Sequence, residues 1–146
     1  MSPLSLLLNV LWIVFGGWWM AAGWVIAGAI MAITIIGLPW SFAAFRIALY
    51  TLLPFGQTVV PRDVVEGDGG GPGVFSLLGN LIWLVLAGWW LALAHIATAI
   101  GLAVTIIGIP FAWAHLKLAG LALWPLGRVV VPAEEAERLR RLGRAW

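Results

Sequence analysis

Few residues of this sequence could take part in chemistry, and most of them lie in long apolar stretches. The polar candidates are Asn9, Asn80, and the pair His95 and Thr98, which are three residues apart and so share one face of a helix. Amides can line a path or coordinate a cation, and an imidazole titrates near neutral pH and can relay protons. Each also has a structural explanation. A buried asparagine can join two helices through hydrogen bonds, and a histidine close to a membrane surface stays hydrated.

Basic residues form a second group of candidates. Arg46 and Lys117 occupy equivalent positions in two similar halves of the chain, and Arg128 follows the second half's last helix. We expect all three to contact lipid phosphate or another anion, because long basic side chains extend toward the membrane surface. In an assembly of several chains, Arg46 and Lys117 could form an anion-attracting ring. His115 is expected to face away from His95 and to donate to lipid phosphate.

Paired helix interruptions form a third group. Gly37 and Pro39 in the first half match Gly108 and Pro110 in the second. Proline removes a backbone donor and clashes with the preceding turn, so each Gly-x-Pro predicts a break in a helix. Interruptions at matching positions of two repeats are typical of transporter binding sites. Kinked helices without any site are also common, and the sequence leaves both interpretations open.

Signals of an enzyme or a cofactor site are missing from the sequence. Every aspartate and glutamate lies between residues 63 and 68 or between 134 and 137, outside the apolar stretches. The sequence has no cysteine, no pattern of metal-ligating side chains and no phosphate-binding loop. The serines also lack a neighbouring base. We therefore predict a protein that is not an enzyme and that binds no metal or other cofactor.

The distribution of charge predicts an integral membrane protein. Hydrophobic residues make up 63% of the chain and charged residues 10%, whereas about a quarter of the residues of soluble proteins are charged. Residues 1–45 and 69–116 contain no charged side chain at all. A crossing helix needs roughly 20 apolar residues, so each block is long enough for two crossings. The absence of a basic N-terminal segment argues against a cleaved signal peptide.

The chain contains two tandem copies of one sequence repeat. Residues 4–61 align without a gap with residues 75–132, and 24 of the 58 aligned pairs are identical, including Trp, Gly, Asn and Pro residues. The predicted organisation is a membrane repeat at 4–61, a flexible linker at 62–74, a second membrane repeat at 75–132 and a basic tail at 133–146. Acids come first and arginines last in the tail, which predicts a short helix there.

These features predict an all-α membrane fold of two helical hairpins, with about four transmembrane helices. Paired tryptophans after glycine suggest tight hairpin turns near residues 17–23 and 88–94, and the second helix of each repeat is predicted to be broken at Gly-x-Pro. Residues 40–53 and 111–124 then either continue the crossing helix or lie at the interface. The arginines of the tail predict that the linker and the C-terminus are cytoplasmic, and they favour lipid headgroups over nucleic acid as the partner.

The second repeat carries a resemblance to a known family. Three of its segments, GWWLALAHIAT (88–98), IIGIP (106–110) and ALWPLGR (122–128), resemble the YccF family of bacterial inner-membrane proteins. The resemblance covers residues 4–132 and is looser in the first repeat, which has Trp24 where the second has His95. It implies a multi-pass fold built from paired domains in the bacterial inner membrane. It transfers no catalytic residue.

Two functional hypotheses follow, and the sequence slightly favours the first. In the first, the protein is an oligomeric channel or transporter for ions or small solutes, whose lining is drawn from Asn9, Asn80, His95, Thr98, Gly37, Pro39, Gly108 and Pro110. Four short helices hardly enclose a pore alone, so this hypothesis requires a homo-oligomer. In the second, the protein is a non-conducting accessory that organises lipid or a membrane-protein partner.

Overall fold

The computed structural model describes residues 2–67 and 73–144. Within these ranges the first repeat has three helices, the first two joined by a π-helical turn: α1 (Pro3–Trp12), the turn Ile13–Gly17, α2 (Trp18–Ile33) and α3 (Leu38–Leu52). The second repeat has the same order: α5 (Val74–Trp83), the turn Leu84–Gly88, α6 (Trp89–Ala103) and α7 (Ile109–Leu123). Each repeat is thus one long helix followed by a shorter one packed against it.

A strand and a short helix follow each of these helical pairs. They are β1 (Gln57–Pro61) with α4 (Arg62–Glu66), and β2 (Arg128–Pro132) with α8 (Ala133–Arg141). The predicted all-α fold is confirmed in part, because the structure is mostly helical but also contains a pair of strands. Both strands end at a proline, Pro61 in β1 and Pro132 in β2.

The predicted hairpin turns at 17–23 and 88–94 are wrong, because the chain is helical through both segments. The glycines there allow close packing. A Cβ atom at Gly17 would overlap the Trp12 indole, and one at Gly88 would lie 2.8 Å from the carbonyl oxygen of Ala122. At Gly16 φ is +113°, a backbone conformation that L side chains rarely adopt. In the first repeat, Gly-Gly-Trp-Trp therefore marks a kink at Gly16 within a π-helical turn and not a reversal of the chain.

The chain reverses direction later, at residues 34–37 and 105–108. The Thr34 hydroxyl donates to the Met31 carbonyl at 2.7 Å and accepts from the Gly37 N–H at 3.1 Å. Thr105 makes the same two bonds in the second repeat. Pro39 and Pro110 then lie in the first turn of α3 and α7, where a missing N–H costs nothing. The predicted break within a helix is thus a turn between two helices.

The two strands pair with each other and reveal the symmetry of the molecule. β1 and β2 are antiparallel, and Val59 lies opposite Val130, its own equivalent in the repeat. The other pairs are exchanged symmetrically around this one, so a pseudo-twofold axis passes between the two valines. Matching backbone bonds flank the sheet, from Arg62 N–H to Gly127 O and from Ala133 N–H to Gly56 O.

The segment predicted as a linker begins with a helical turn, α4, and its glycine-rich part falls in residues 68–72, outside the described residues. The helix predicted in the tail is confirmed as α8. Glu134 and Glu135 lie in its first turn and three arginines lie in its last, an order that favours the helix dipole. Arg144 connects the two ends by donating to the Val64 carbonyl at 2.6 Å.

Two of the described helices are long and apolar enough to cross a membrane, Pro3–Ile33 with 31 residues and Val74–Ala103 with 30. The shorter helices α3 and α7 have 15 residues each and so measure about 22 Å, less than the roughly 30 Å of a bilayer core. Large apolar side chains are exposed along the long helices, among them Val14, Trp19, Ile33, Val85, Ile100 and Val104. Surfaces of this kind suit a lipid environment.

Replacing Gly17 with alanine should destabilise the protein by about 1–3 kcal/mol, the usual cost of overpacking a well-filled site. The added methyl group must displace the buried Trp12 ring. Gly101→Ala is the matched control, because a Cβ atom there meets nothing within 4 Å and alanine favours a helix. Thermal unfolding in mild detergent, followed by circular dichroism, measures both. Equal stability of the two variants would contradict the packing described for Gly17.

Candidate functional site

Asn9 and Asn80 are the most buried polar side chains of their helices, and both bind backbone. The Asn9 amide donates to the Phe55 carbonyl at 2.9 Å and its oxygen accepts from the Phe55 N–H at 3.0 Å. Asn80 does the same to Leu126, at 3.2 and 2.9 Å. Each asparagine therefore holds the start of its repeat against the turn that precedes the strand.

Two buried tryptophans repeat this pattern one turn further along. Trp12 Nε1 donates to the Thr51 carbonyl and Trp83 Nε1 donates to the Ala122 carbonyl, both at 2.7 Å. These carbonyls lie in the last turns of α3 and α7, where intrahelical donors run out. Like the two asparagines, the indoles of Trp12 and Trp83 thus satisfy backbone groups near the C-terminal ends of α3 and α7.

A chain of three polar side chains crosses the centre of the molecule. Trp24 and His95 occupy equivalent positions in the two repeats, and Trp24 Nε1 donates to His95 Nε2 at 3.2 Å. His95 Nδ1 in turn lies 2.9 Å from His115 Nδ1. His95 is fully buried and His115 is 4% exposed. The predictions that His95 lies at a wet interface and that His115 faces away from it are wrong.

The Trp24 indole determines which ring nitrogens of His95 and His115 carry a hydrogen. An indole nitrogen only donates, so His95 Nε2 must accept, and a neutral His95 then carries its hydrogen on Nδ1. That hydrogen is donated to His115 Nδ1, which leaves the His115 hydrogen on Nε2. A second proton on His95 would break the bond from Trp24, and one on Nδ1 of His115 would break the bond between the histidines.

The remaining candidates for a pore lining do not meet in one place. Thr98 is half-buried and its hydroxyl donates to Ala94 O, one turn back in the same helix. Gly37, Pro39, Gly108 and Pro110 lie at the turns between helices, whereas Asn9 and Asn80 bind at the opposite ends of α3 and α7. The length of these helices, about 22 Å, separates the two groups.

The basic candidates come together in two clefts beside the strand pair. The Arg46 cleft, of about 430 Å³, is lined by Arg46, Tyr50, Gln57 and Arg128 with apolar neighbours from α3 and β2. The Lys117 cleft, of about 310 Å³, is lined by Lys117, Tyr50, Thr58 and Arg128 with neighbours from α7. Arg128 and Tyr50 line both clefts, so the clefts adjoin each other.

The two clefts are related by the pseudo-twofold axis. Seven of the eight residues that line the Lys117 cleft have their repeat equivalents in the lining of the Arg46 cleft, Lys117 corresponding to Arg46 and Trp124 to Leu53. Among the residues that the structure describes, no aspartate or glutamate lines either cleft. Glu66, Glu135 and Glu137 instead pair with arginines of their own helices. The clefts are therefore positively charged.

Several of these contacts were not predictable from sequence. Tyr50, which joins the clefts, and Trp24, which binds His95, carry no motif that marks them. The pairing of His95 with His115 depends on how α6 packs against α7. Among the described residues, no group of three or more His, Asp or Glu side chains could hold a metal ion.

Comparison with known proteins gives a consistent result. The family model YccF, described as an inner membrane component domain, matches residues 7–57 and again 78–128. Proteins called "Inner membrane protein YccF" from Escherichia coli (strain K12) and Shigella flexneri are each 39% identical over 137 residues, covering 91% of this chain and 91% of the relative. No solved structure matches.

The tautomers of His95 and His115 directly test the hydrogen bonds that join Trp24, His95 and His115. In protein with ¹⁵N-labelled histidine at neutral pH, NMR should show His95 protonated on Nδ1 and His115 on Nε2. Trp24→Phe removes the indole donor and should shift the His95 Nε2 resonance, while Trp90→Phe, whose indole donates to Leu86 O, should leave it unchanged. Finding His95 protonated on Nε2 would contradict the arrangement.

Proposed function

Because the chain belongs to the YccF family of inner membrane components, we propose that it is a non-conducting membrane protein that organises lipid at the cytoplasmic surface of the inner membrane. The observation that carries the proposal is the pair of positively charged clefts formed by Arg46, Lys117 and Arg128. Basic pockets on the cytoplasmic side of membrane proteins bind anionic headgroups.

The use of the interior polar groups supports a non-conducting protein. The side-chain amides of Asn9 and Asn80 each donate one hydrogen bond to a single backbone residue and accept another from it. Both ring nitrogens of His95 are also hydrogen-bonded. A permeation path needs polar groups that are free to replace water around a solute. If these side chains lined a permeation path, the hydrogen bonds that hold each long helix against its partner would be lost.

The charge distribution supports the proposed orientation. Arg128, α4 and α8 all lie next to the strand pair, and short segments rich in arginine stay in the cytoplasm. Two strands that pair with each other must lie on the same side of a bilayer. The proposed topology therefore has two crossings in each repeat and four in all, with the linker and the tail cytoplasmic. Spans as short as α3 and α7 require the bilayer to thin locally around them.

Self-association and a membrane-protein partner stay predictions, and neither is needed for lipid binding by one chain. A channel would require an assembly, since the described interior is packed with buried tryptophans such as Trp12, Trp24 and Trp83. Native mass spectrometry in mild detergent measures the number of chains in the particle.

Purified protein in liposomes should give no flux of cations, anions or small neutral solutes above that of empty vesicles. The reason is that the buried asparagines and His95 are bonded to backbone and to neighbouring side chains. Vesicles that contain gramicidin provide the positive control for cation flux. Thr98→Ala removes the half-buried hydroxyl, whose one bond is to Ala94 O in its own helix. Selective flux through the wild-type protein, altered by Thr98→Ala, would overturn the proposal.

Cysteines introduced at Glu66 and Leu142, both exposed, should resist a membrane-impermeant maleimide added outside spheroplasts. Both should react after the membrane is permeabilised, because α4 and the end of α8 are placed in the cytoplasm. A cysteine at Ile106, the 87% exposed tip of the second turn, is the contrasting site and should react from outside. Labelling of only one of the first two sites in intact spheroplasts would contradict the topology.

A further inference from the structure

We propose that the two clefts bind the two phosphodiester groups of one phospholipid that carries two phosphates, and that one of its acyl chains lies in the groove beside the Arg46 cleft. The inference deepens the proposed function, on which it rests, by naming the class of lipid. Three independent features carry it: the charge of the clefts, their symmetry, and the apolar groove that continues one of them.

The charges suit phosphate in each cleft. Arg46 and Arg128 offer planar guanidinium groups, which match two oxygens of a phosphate at once. Lys117 supplies a compact charge in the second cleft, and its Nζ lies 5.8 Å from the Trp113 ring centre. Within residues 2–67 and 73–144, no acidic side chain lines either cleft. The polar Tyr50, Gln57 and Thr58 are further hydrogen-bonding groups in the linings.

The symmetry suits two linked phosphates better than one. Equivalent residues build the clefts on either side of the axis, and Arg128 and Tyr50 belong to both. A ligand with a single phosphate would fill one cleft and leave the other cations uncompensated. A headgroup in which a glycerol joins two phosphodiesters presents two equivalent anions a short distance apart, as the clefts do.

The groove next to the Arg46 cleft identifies the ligand as a lipid instead of a free phosphate compound. It has a volume of about 400 Å³ and lies between α2 and α3, lined by Trp18, Ala21, Ala22, Val25, Phe45 and Ala48 together with Leu49 and Leu52. Leu49 and Leu52 also line the Arg46 cleft. A basic cleft thus runs into an apolar groove, the combination of surfaces that an amphiphile needs.

Lipid binding to the purified full chain, measured by native mass spectrometry with delipidated protein, tests the inference. Tetraoleoyl cardiolipin carries two phosphates, and dioleoyl phosphatidylglycerol and dioleoyl phosphatidylethanolamine carry one. The two-phosphate lipid should bind one per chain and roughly tenfold or more tightly than phosphatidylglycerol, the equivalent of one additional charge-assisted hydrogen bond. Phosphatidylglycerol that binds as tightly, two molecules for each cardiolipin, would overturn the inference while leaving the proposed anionic-lipid role intact.

Substitutions locate the site. Arg128→Gln should remove most of the preference because this arginine serves both clefts, and Arg46→Gln or Lys117→Gln should each reduce it severalfold. Arg128→Lys, which keeps the charge, should retain part of it. Arg138→Gln is the control, since Arg138 is exposed and lies on α8 beside Glu135. Unfolding temperatures confirm that each variant is folded, and an unchanged preference in folded Arg128→Gln would overturn the inference.

A final pair of measurements separates lipid from free phosphate. Ala22→Trp fills the groove and should weaken binding of the long-chain lipid severalfold, with little effect on a short-chain version of the same headgroup. Millimolar inorganic phosphate should displace little of the bound long-chain lipid. Complete displacement by inorganic phosphate, or equal binding of both chain lengths to wild type and Ala22→Trp, would overturn the assignment of the groove.

Discussion

The bidentate bond between an asparagine side chain and one backbone residue is the interaction on which each repeat depends. After α3 the chain passes through Pro54, which has no N–H, and the peptide groups of Phe55 leave the helix in an apolar region. Backbone groups in such surroundings must be satisfied within the protein. Asn9 satisfies both groups of Phe55, and the bond also fixes where the strand begins. Strand pairing, the symmetry axis and the clefts all follow from that position.

The same constraint explains why polar residues in this protein are few and why so many of them are structural. The two buried asparagines and the indoles of Trp12 and Trp83 each bond to a backbone group. Removing one of these side chains leaves that group unsatisfied, at a cost of about 1–3 kcal/mol. The histidine pair differs, because both histidines belong to the second repeat. At the position equivalent to His115 the first repeat has Ala44. The backbone of the two repeats is alike, but the side chains at these positions differ, and Trp24 of the first repeat donates to His95 of the second.

Much of the organisation could be predicted from the sequence, and the failures have physical causes. The gapless alignment of residues 4–61 with residues 75–132 predicted two copies of one unit, and the family model matches the chain twice. The turn positions were missed because Gly-Gly-Trp-Trp is compatible with a membrane interface as well as with a π-helical turn. Only packing distinguishes these two, since the requirement for Gly17 comes from the indole of Trp12. The partnership of His95 and His115 was missed for a similar reason, because it depends on the rotation of α6 relative to α7.

The pairing of β1 with β2 has an evolutionary consequence. Val59 opposite Val130 is a contact between a residue and its own copy, the hallmark of an isologous interface. A strand with this register is complementary to itself, so a chain that held one repeat would already possess the surface needed to form a twofold dimer. Joining two such chains into one preserves that interface and frees the copies to diverge. The tryptophan and histidine at positions 24 and 95 are the kind of difference that a symmetric dimer of identical chains can never acquire.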